Sequence, residues 1–330
     1  MSIDPIVTEI SKRIAIGKGV DLDSWADADE AAHIRNAGDF EQEVWERMNL
    51  PASKKGALMP WSNTHKDVQV RPGELSIWAG KRGSGKSLIT SQVMTGLVQQ
   101  GHKAVIASME MPITVTLGRM ATQALGQAMP TREFHRQFFK WADGKLFVYE
   151  QDGVVPARRL LGLARYSILE LGIKNVVLDS LMMVGLSSAR TTFDKLEQQT
   201  HFVRDLAAIA RDTGAHIHLV AHLRKSDGNR KTSEADDVKG AGEITDLASC
   251  VYIIETNRKK VEETNKAAPA KAVMEQPDVW LKVEKNRNGP TGACFGLWSH
   301  KSLQFICKQS HAPMQMIRGQ IKTTFQREGF

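Results

Sequence analysis

The segment GKRGSGKS, from Gly80 to Ser87, constrains the fold of this chain more than any other feature of the sequence. It matches the pattern G-x-x-x-x-G-K-[ST] in full, between an apolar segment (LSIWAG) and a helical pattern (LITSQVMTGLVQQ). In a strand–loop–helix context such a loop binds phosphate through its backbone N–H groups and the helix N-terminus. The sequence therefore predicts a nucleotide-binding loop, in which Lys86 reaches the β- and γ-phosphates and Ser87 binds Mg²⁺.

Strand-like and helix-like patterns alternate after this loop. Strands are predicted at 75–80, 103–108, 146–150, 175–180, 216–222, 250–255, 279–285 and 293–298, and helices at 88–100, 113–128, 156–171 and 194–213. Such alternation predicts an α/β fold with a mostly parallel central sheet flanked by helices. The last strands follow one another without helices, which predicts an antiparallel edge.

Charge and composition divide the chain into three parts. Residues 1–67 are predicted to be an acidic arm and linker with short helices at 1–15 and 38–48, residues 68–307 the main domain, and residues 308–330 a basic tail. Residues 1–50 have a net charge of −6, whereas the rest of the chain has a net charge of +13. A basic main domain is compatible with a polyanionic partner.

The three cysteines, Cys250, Cys294 and Cys307, form no C-x-x-C pair, which favours a reducing compartment over a zinc site or a disulfide framework. The N-terminal residues have the pattern of neither a signal peptide nor a transit peptide. No stretch reaches the roughly 20 apolar residues of a membrane span. We therefore expect a soluble, cytoplasmic protein with no membrane partner.

Three polar residues at predicted strand ends are candidates for catalysis. Asp179 ends NVVLDS, where a carboxylate can hold Mg²⁺ opposite Ser87. No Glu follows Asp179, so Glu110, in IASMEMP, is the candidate general base. His222 ends another strand and is a candidate sensor of the γ-phosphate. The alternatives are a turn-forming Asp179, an exposed loop acid at Glu110 and a structural His222. The full nucleotide-binding prediction is Gly80, Gly83, Ser84, Gly85, Lys86, Ser87 and Asp179.

The loop over 223–242 combines several cations with glycines. Basic loops with accessible N–H groups suit contacts with a phosphate backbone, and a solvated surface loop is the alternative. The candidate DNA-binding residues are Arg224, Lys225, Arg230, Lys231, Lys239, Gly240 and Gly242.

Lys285 and Arg287 lie two residues apart near the end of a predicted strand, so their side chains point the same way. That arrangement suits a pair of cations that reach the γ-phosphate held by a neighbouring subunit. The alternative is an exposed pair of cations on an edge strand.

Six stretches, taken in order, resemble the hexameric replicative helicases of the DnaB family and, more closely, the helicase half of phage primase–helicases and mitochondrial Twinkle. They are RPGELSIWAGKRGSGKS, IASMEMP, LGIKNVVLDSLMMVG, HLVAHLRK, DDVKGAGEITDLASCVYII and LKVEKNRNGPTG, within about residues 68–300. The resemblance implies a RecA-like fold, with ATP (or another NTP or dNTP) and Mg²⁺ bound between the subunits of a hexameric ring. It also implies 5′ to 3′ movement on single-stranded and forked DNA.

The same resemblance assigns roles to individual residues. Glu110 becomes the catalytic base, His222 the phosphate sensor, and Lys285 and Arg287 fingers that act in trans. The single-strand backbone would bind at Lys239, Gly240 and Gly242.

The chain departs from the family pattern in two places. Thr256 lies near the position of a base-stacking Arg in the family, with Arg258 close by, which puts the nucleobase contact in doubt. The N-terminal part is too short for a primase or collar domain, so we expect a primase or another replisome protein to act in trans. The helix at 38–48 is the candidate linker that swaps onto the adjacent subunit, and packing on its own domain is the alternative. A phage-encoded protein would work in the cytosol of its bacterial host.

Two other classes of function are compatible with parts of this pattern. One is a RecA- or clock-type DNA-dependent ATPase, a recombinase or regulatory ring that does not unwind DNA. The other is a non-enzymatic DNA-binding scaffold, which the complete phosphate loop, Asp179 and Glu110 disfavour.

Overall fold

The structure of the chain is a computed structural model. It describes residues 36–50, 55–128, 131–151, 153–186, 191–223, 237–238 and 242–317. The chain divides into two units, Met1–Lys54 and Lys55–Phe330. The helix predicted over 1–15 lies outside the described residues, as do positions 318–330 of the predicted tail.

The described part of the first unit is helical. It contains a short 3-10 helix, Ala37–Phe40, followed by helix α1, Glu41–Asn49, which confirms the second predicted helix of the arm. Three large apolar side chains of α1 are exposed: Val44 at 51%, Trp45 at 65% and Met48 at 70%. The helix therefore presents apolar surface to solvent.

The second unit is built on a nine-stranded sheet. The strands of this unit are β1 (Ala57–Leu58), β2 (Gln69–Val70), β3 (Leu75–Gly80), β4 (Ala104–Ser108), β5 (Leu146–Tyr149), β6 (Val155–Pro156), β7 (Asn175–Asp179), β8 (Val184–Gly185), β9 (His216–His222), β10 (Cys250–Thr256), β11 (Val279–Asn286), β12 (Cys294–Ser299) and β13 (Phe305–Ile306). The sheet has the order β13-β12-β11-β10-β3-β9-β7-β4-β5. The six strands from β10 to β5 are parallel, and β11, β12 and β13 add an antiparallel edge. Two small ladders, β1-β2 and β6-β8, lie outside it.

Helices connect the strands. They are α2 (Lys86–Gln99), α3 (Ile113–Leu125), α4 (Arg132–Ala142), α5 (Ala157–Leu169), α6 (Thr192–Thr213), α7 (Gly242–Leu247), α8 (Arg258–Thr264) and α9 (Lys271–Met274). Among the helices described, none combines the length and the apolar character that crossing a membrane requires.

Alternating residues of the central strands pack against helices on the two faces of the sheet. In β3, Ile77 belongs to an apolar cluster with Leu160 of α5 and Leu206 of α6. Its neighbour Trp78 belongs to the cluster on the other face, with Val93 of α2. Both faces are therefore covered, as a parallel sheet requires.

The predicted fold class is confirmed: a mostly parallel sheet flanked by helices, with an antiparallel edge.

Helix α4 was not predicted. In its sequence, REFHRQFFKWA, Phe138 and Ala142 are buried and Trp141 packs against the core, whereas Phe139 is exposed. The segment 55–67, which was interpreted as part of a linker, instead forms β1, which pairs with β2 of the main domain, and buries Met59 and Trp61. Irregular segments of this kind pack without any sequence period.

Glutamine and tryptophan side chains fix the last strand beside the phosphate loop. Gln92 of α2 accepts a hydrogen bond from the N–H of Phe305 (2.8 Å) and donates one to its carbonyl oxygen (2.9 Å). Trp61 Nε1 donates to the same carbonyl oxygen (2.8 Å). Further along, the N–H of Met316 donates to the carbonyl oxygen of Ala124 (2.9 Å). The described start of the predicted tail is therefore tied to α3.

Replacing Gln92 with leucine should lower the free energy of unfolding by about 2 kcal/mol, because the buried N–H of Phe305 loses its acceptor. Chemical denaturation measures this change. The matched control is Gln99→Leu, an exposed position on the same helix, which should leave the free energy of unfolding nearly unchanged. Equal effects of the two substitutions would contradict the assigned role of Gln92.

Candidate nucleotide-binding and hydrolysis site

The predicted phosphate loop connects the end of β3 to the start of α2. Gly83 and Gly85 have φ angles of 78° and 87°, in the left-handed region that side chains disfavour. A Cβ added at Gly80 would meet Ser84 Oγ and would lie 2.8 Å from the carbonyl oxygen of Ile254. The glycines thus permit a tight turn that leaves the first N–H groups of α2 open toward the loop.

Lys86 is the first residue of α2, and its side chain folds back over the loop. Its Nζ donates hydrogen bonds to the carbonyl oxygens of Gly80 (3.1 Å) and Lys81 (3.0 Å). Burial lowers the pKa of Lys86, and the nearby carboxylates of Asp179 and Glu110 oppose that shift. The ammonium group therefore lies between the loop carbonyls and two acids.

Asp179 ends β7 next to the loop, and the structure brings it together with Ser87. Burial raises the pKa of Asp179, while a hydrogen bond with the Ser87 side chain acts in the opposite direction. A cavity of about 10 Å³ adjoins this pair, which is room for about one water molecule. Its lining is rich in hydroxyl groups: Ser87, Thr90, Ser91, Ser108 and Thr116 line it together with Asp179, Ile106, Met111 and Val177.

The donor set here fits a Mg²⁺ ion that arrives with a nucleotide. Ser87 and Asp179 supply hard oxygen ligands, and Mg²⁺ commonly completes its shell with phosphate and water. Ser84 Oγ is buried in the loop and has no hydrogen-bond partner among the described residues, a deficit that a phosphate oxygen would remove. No group of three or more His, Cys, Asp or Glu side chains in the described segments could hold a metal by itself.

Glu110 and His222 meet at this same edge of the sheet. His222 Nε2 lies 3.0 Å from Glu110 Oε1, and Ser180 Oγ donates a hydrogen bond to that same oxygen. Burial raises the pKa of Glu110, but the hydrogen bonds from Ser180 and His222 and the charge of Lys86 outweigh it, so the pKa lies below its ordinary value. A carboxylate that stays ionised can accept a proton. Ser180 was not predicted from the sequence, because only the pairing of β4 with β7 brings it beside Glu110.

Lys285 and Arg287 lie together at the other end of the strands, where β10 begins and β11 ends. Lys285 Nζ donates to the carbonyl oxygens of Thr245 (3.0 Å) and Asp246 (2.8 Å), and Arg287 Nη2 donates to that of Asp246 (2.6 Å). These carbonyls belong to the last turn of α7, where positive charge is favourable. Burial and the charge of Arg287 lower the pKa of Lys285.

The strand register separates these two cations from the phosphate loop of their own subunit. Lys285 pairs with Val251 of β10, whereas Gly80 of β3 pairs with Ile254 of the same strand. Three residues of an extended strand span about 10 Å. The N–H of Arg287 is farther still from the loop, bound to the carbonyl oxygen of Ser249 (2.9 Å).

A larger cavity of about 390 Å³ opens beside the loop. Thr256 and Arg258, at the position where the family pattern has its base-stacking residue, both line it. The remaining lining residues are Lys81, Arg82, Gly83, Ile254, Glu255, Val261 and Glu262. Val261 and Glu262 come from α8 and were not predicted. Nothing in the sequence indicates that this short helix lines a cavity beside the loop.

Most of the predicted DNA-binding set falls outside the part of the chain that the structure describes. Gly242 is the first residue of α7. The other six, Arg224, Lys225, Arg230, Lys231, Lys239 and Gly240, lie outside the described residues.

Gly80→Ala should lower the free energy of unfolding by about 1–3 kcal/mol, because the new methyl group overlaps the Ile254 carbonyl. Gly118→Ala is the control, since an added Cβ there meets nothing within 4 Å. That change in the middle of α3 should raise the free energy of unfolding by about 0.5–1 kcal/mol. Thermal and chemical denaturation of both variants measure the difference. Two changes of the same sign would show that the loop has more room than the geometry indicates.

The geometry agrees with what comparisons with known proteins find. A family model described as the DnaB-like helicase C-terminal domain matches residues 68–306. The chain is similar to a solved ATPase domain, with a TM-score of 0.69 and 12% identity over 83% of this chain and 99% of that one. It is also similar to a DnaB-like replicative helicase solved in a study of its interactions with primase, with a TM-score of 0.67 and 14% identity over 91% of this chain and 74% of that one.

At such low identities the two structures establish the fold, which is the RecA-like fold of a helicase ATPase domain. The family match is independent of them and covers the P-loop, Glu110, Asp179, His222 and the Lys285–Arg287 pair. It confirms the resemblance carried by the six sequence stretches. This chain therefore belongs to the family of DnaB-like helicase C-terminal domains.

Proposed function

We propose that this chain is the motor of a ring-shaped replicative DNA helicase, in which ATP hydrolysis drives 5′ to 3′ movement on single-stranded DNA and unwinds the duplex ahead. The observation that carries the proposal is the cluster of Lys86, Ser87, Asp179, Glu110 and His222 at one sheet edge, in a chain of the DnaB-like family. These are the groups that phosphoryl transfer to water requires.

The proposed chemistry follows from the positions of the side chains. The loop N–H groups and Lys86 would bind the β- and γ-phosphates, and Ser87 and Asp179 would hold the Mg²⁺ of the nucleotide. Glu110 accepts the proton of the attacking water, and His222, hydrogen-bonded to the same carboxylate, would act as the sensor of the γ-phosphate. The 390 Å³ cavity beside the loop takes the nucleoside.

The proposed ring is supported by groups that have no role in the hydrolysis site of their own subunit. Lys285 and Arg287 are too far from their own phosphate loop to act there, so we assign them to the nucleotide of the adjacent subunit. The apolar face of α1, with Val44, Trp45 and Met48, supports the swap of this helix onto a neighbour. We propose that residues 1–54 make subunit contacts, that residues 55–307 form the motor, and that residues 308–330 are an accessory tail.

The partners of the proposed motor are single-stranded and forked DNA, with the loop residues from Arg224 to Gly242 on the phosphate backbone. Opening one base-pair step costs roughly 1.4 kcal/mol, so one nucleotide hydrolysed per one or two steps supplies the work. A primase or another replisome protein would bind in trans, in the cytoplasm of the cell that uses the motor.

Strand displacement tests the proposal directly. A forked duplex with a 5′ tail should be unwound with ATP, whereas one with only a 3′ tail should not, and Lys86→Ala should abolish unwinding because the phosphates lose their cation. Lys140→Ala, an exposed lysine on α4, is the matched control and should unwind normally. DNA-stimulated ATPase without displacement of either substrate would favour a RecA- or clock-type ATPase instead.

Mixing two inactive variants tests the fingers in trans. Lys86→Ala lacks a working loop, and Arg287→Ala should lose about 10³-fold or more in ATPase rate by losing its finger. In mixed rings, about one interface in four joins an intact loop to an intact finger, so activity should return. Mixing Lys86→Ala with a subunit carrying both substitutions is the control and should stay inactive. Fingers that act within their own subunit would give no recovery in either mixture.

A further inference from the structure

Ser180 connects Asp179, a proposed Mg²⁺ ligand, to Glu110, the proposed base. It directly follows Asp179, and its side chain is fully buried. The pairing of β4 with β7 continues past the last strand residues, where the N–H of Met109 donates to the carbonyl oxygen of Asp179 (2.8 Å). Glu110 is the next residue, so backbone hydrogen bonds set the distance between its side chain and the Ser180 hydroxyl.

Two donors converge on one oxygen of Glu110. Ser180 Oγ donates to Oε1, and His222 Nε2 lies 3.0 Å from the same atom. Because Oε1 already accepts two hydrogen bonds, Oε2 is the oxygen that remains to take a proton from water. The two donors differ in their connections, because His222 belongs to a strand that leads into the predicted DNA loop, whereas Ser180 sits at the buried end of β7.

Both hydrogen bonds also lower the pKa of Glu110. Burial raises the pKa of this carboxyl group, and the hydrogen bond from Ser180 is the largest of the interactions that lower it. A carboxylate with a fixed donor is both oriented and kept ionised.

We propose that Ser180 is a positioning residue that holds Glu110 Oε1 and thereby presents Oε2 to the attacking water. The inference rests on the proposed function, because it requires Glu110 to be the base. Ser180 itself touches neither water nor phosphate in this role. It acts through Glu110 alone.

The first test is the pH dependence of steady-state ATPase activity for Ser180→Ala. The substitution should lower kcat about tenfold or more and leave the KM for ATP nearly unchanged. The hydrogen bond lowers the pKa of Glu110, so its loss raises that pKa. Because the base works only when ionised, the acidic limb of the kcat profile should move to higher pH.

Two further variants separate positioning from packing. Ser180→Thr keeps the hydroxyl and should restore the wild-type profile. Ser167→Ala removes a buried serine from α5, away from this site, and should leave kcat and the profile unchanged. A Ser180→Ala enzyme with a normal pH profile, or with a change in KM alone, would overturn the proposal.

A double-substitution cycle distinguishes failure of this inference from failure of the proposed function. If Ser180 acts through Glu110, adding Ser180→Ala to Glu110→Gln should change the single-turnover rate less than about twofold, because coupled residues are not additive. A further loss of about tenfold in the double variant would refute the role of Ser180 and leave Glu110 as the base. A Glu110→Gln enzyme with wild-type ATPase activity would instead remove the base assignment, and the inference with it.

Discussion

The common edge at which the parallel strands end determines the rest of the candidate site. The register pairs Gly80 with His222 across β3 and β9, and Ser108 with Asp179 across β4 and β7. Backbone hydrogen bonds therefore set the spacing of the phosphate loop, Asp179, Glu110 and His222. A slip of one residue in any of these strands would turn its terminal side chain to the other face of the sheet. The packing of both faces prevents that slip.

The charged groups at this edge stabilise one another, although burial destabilises the ionised form of each one. Burial acts against the charge of Lys86, Asp179 and Glu110, and each is compensated by a neighbour of opposite charge or by a hydrogen bond. Removing one member leaves its partner buried without compensation, which is costly in a poorly solvated site. Substitutions here will therefore affect stability and reactivity together, and measurements of both are needed to separate the two.

The sequence was most informative where chemistry and periodicity coincide. GKRGSGKS between a strand and a helix predicted the phosphate loop, and the alternation of strands and helices predicted the sheet with its antiparallel edge. Asp179, Glu110 and His222 could be proposed because each lies at the end of a strand or just past it. Ser180 could not be singled out, since only the pairing of β4 with β7 places it against Glu110. Val261, Glu262 and the glutamine contact to Phe305 depend on tertiary packing across long separations, and no local pattern indicates such contacts.

The contacts of Lys285 and Arg287 with the end of α7 have a consequence for assembly. The carbonyl oxygens of Thr245 and Asp246 are acceptors, as phosphate oxygens are, and one cation cannot satisfy both sets fully at once. A separate subunit thus keeps its two cations occupied on its own helix. In the proposed ring, engaging a neighbour's nucleotide would be an exchange of acceptors rather than the capture of two unpaired charges. The same short helix begins at Gly242, directly after the loop predicted to hold DNA. In the proposed ring, helix α7 would connect the nucleotide site of one subunit with the predicted strand-binding loop of the subunit that supplies the two cations.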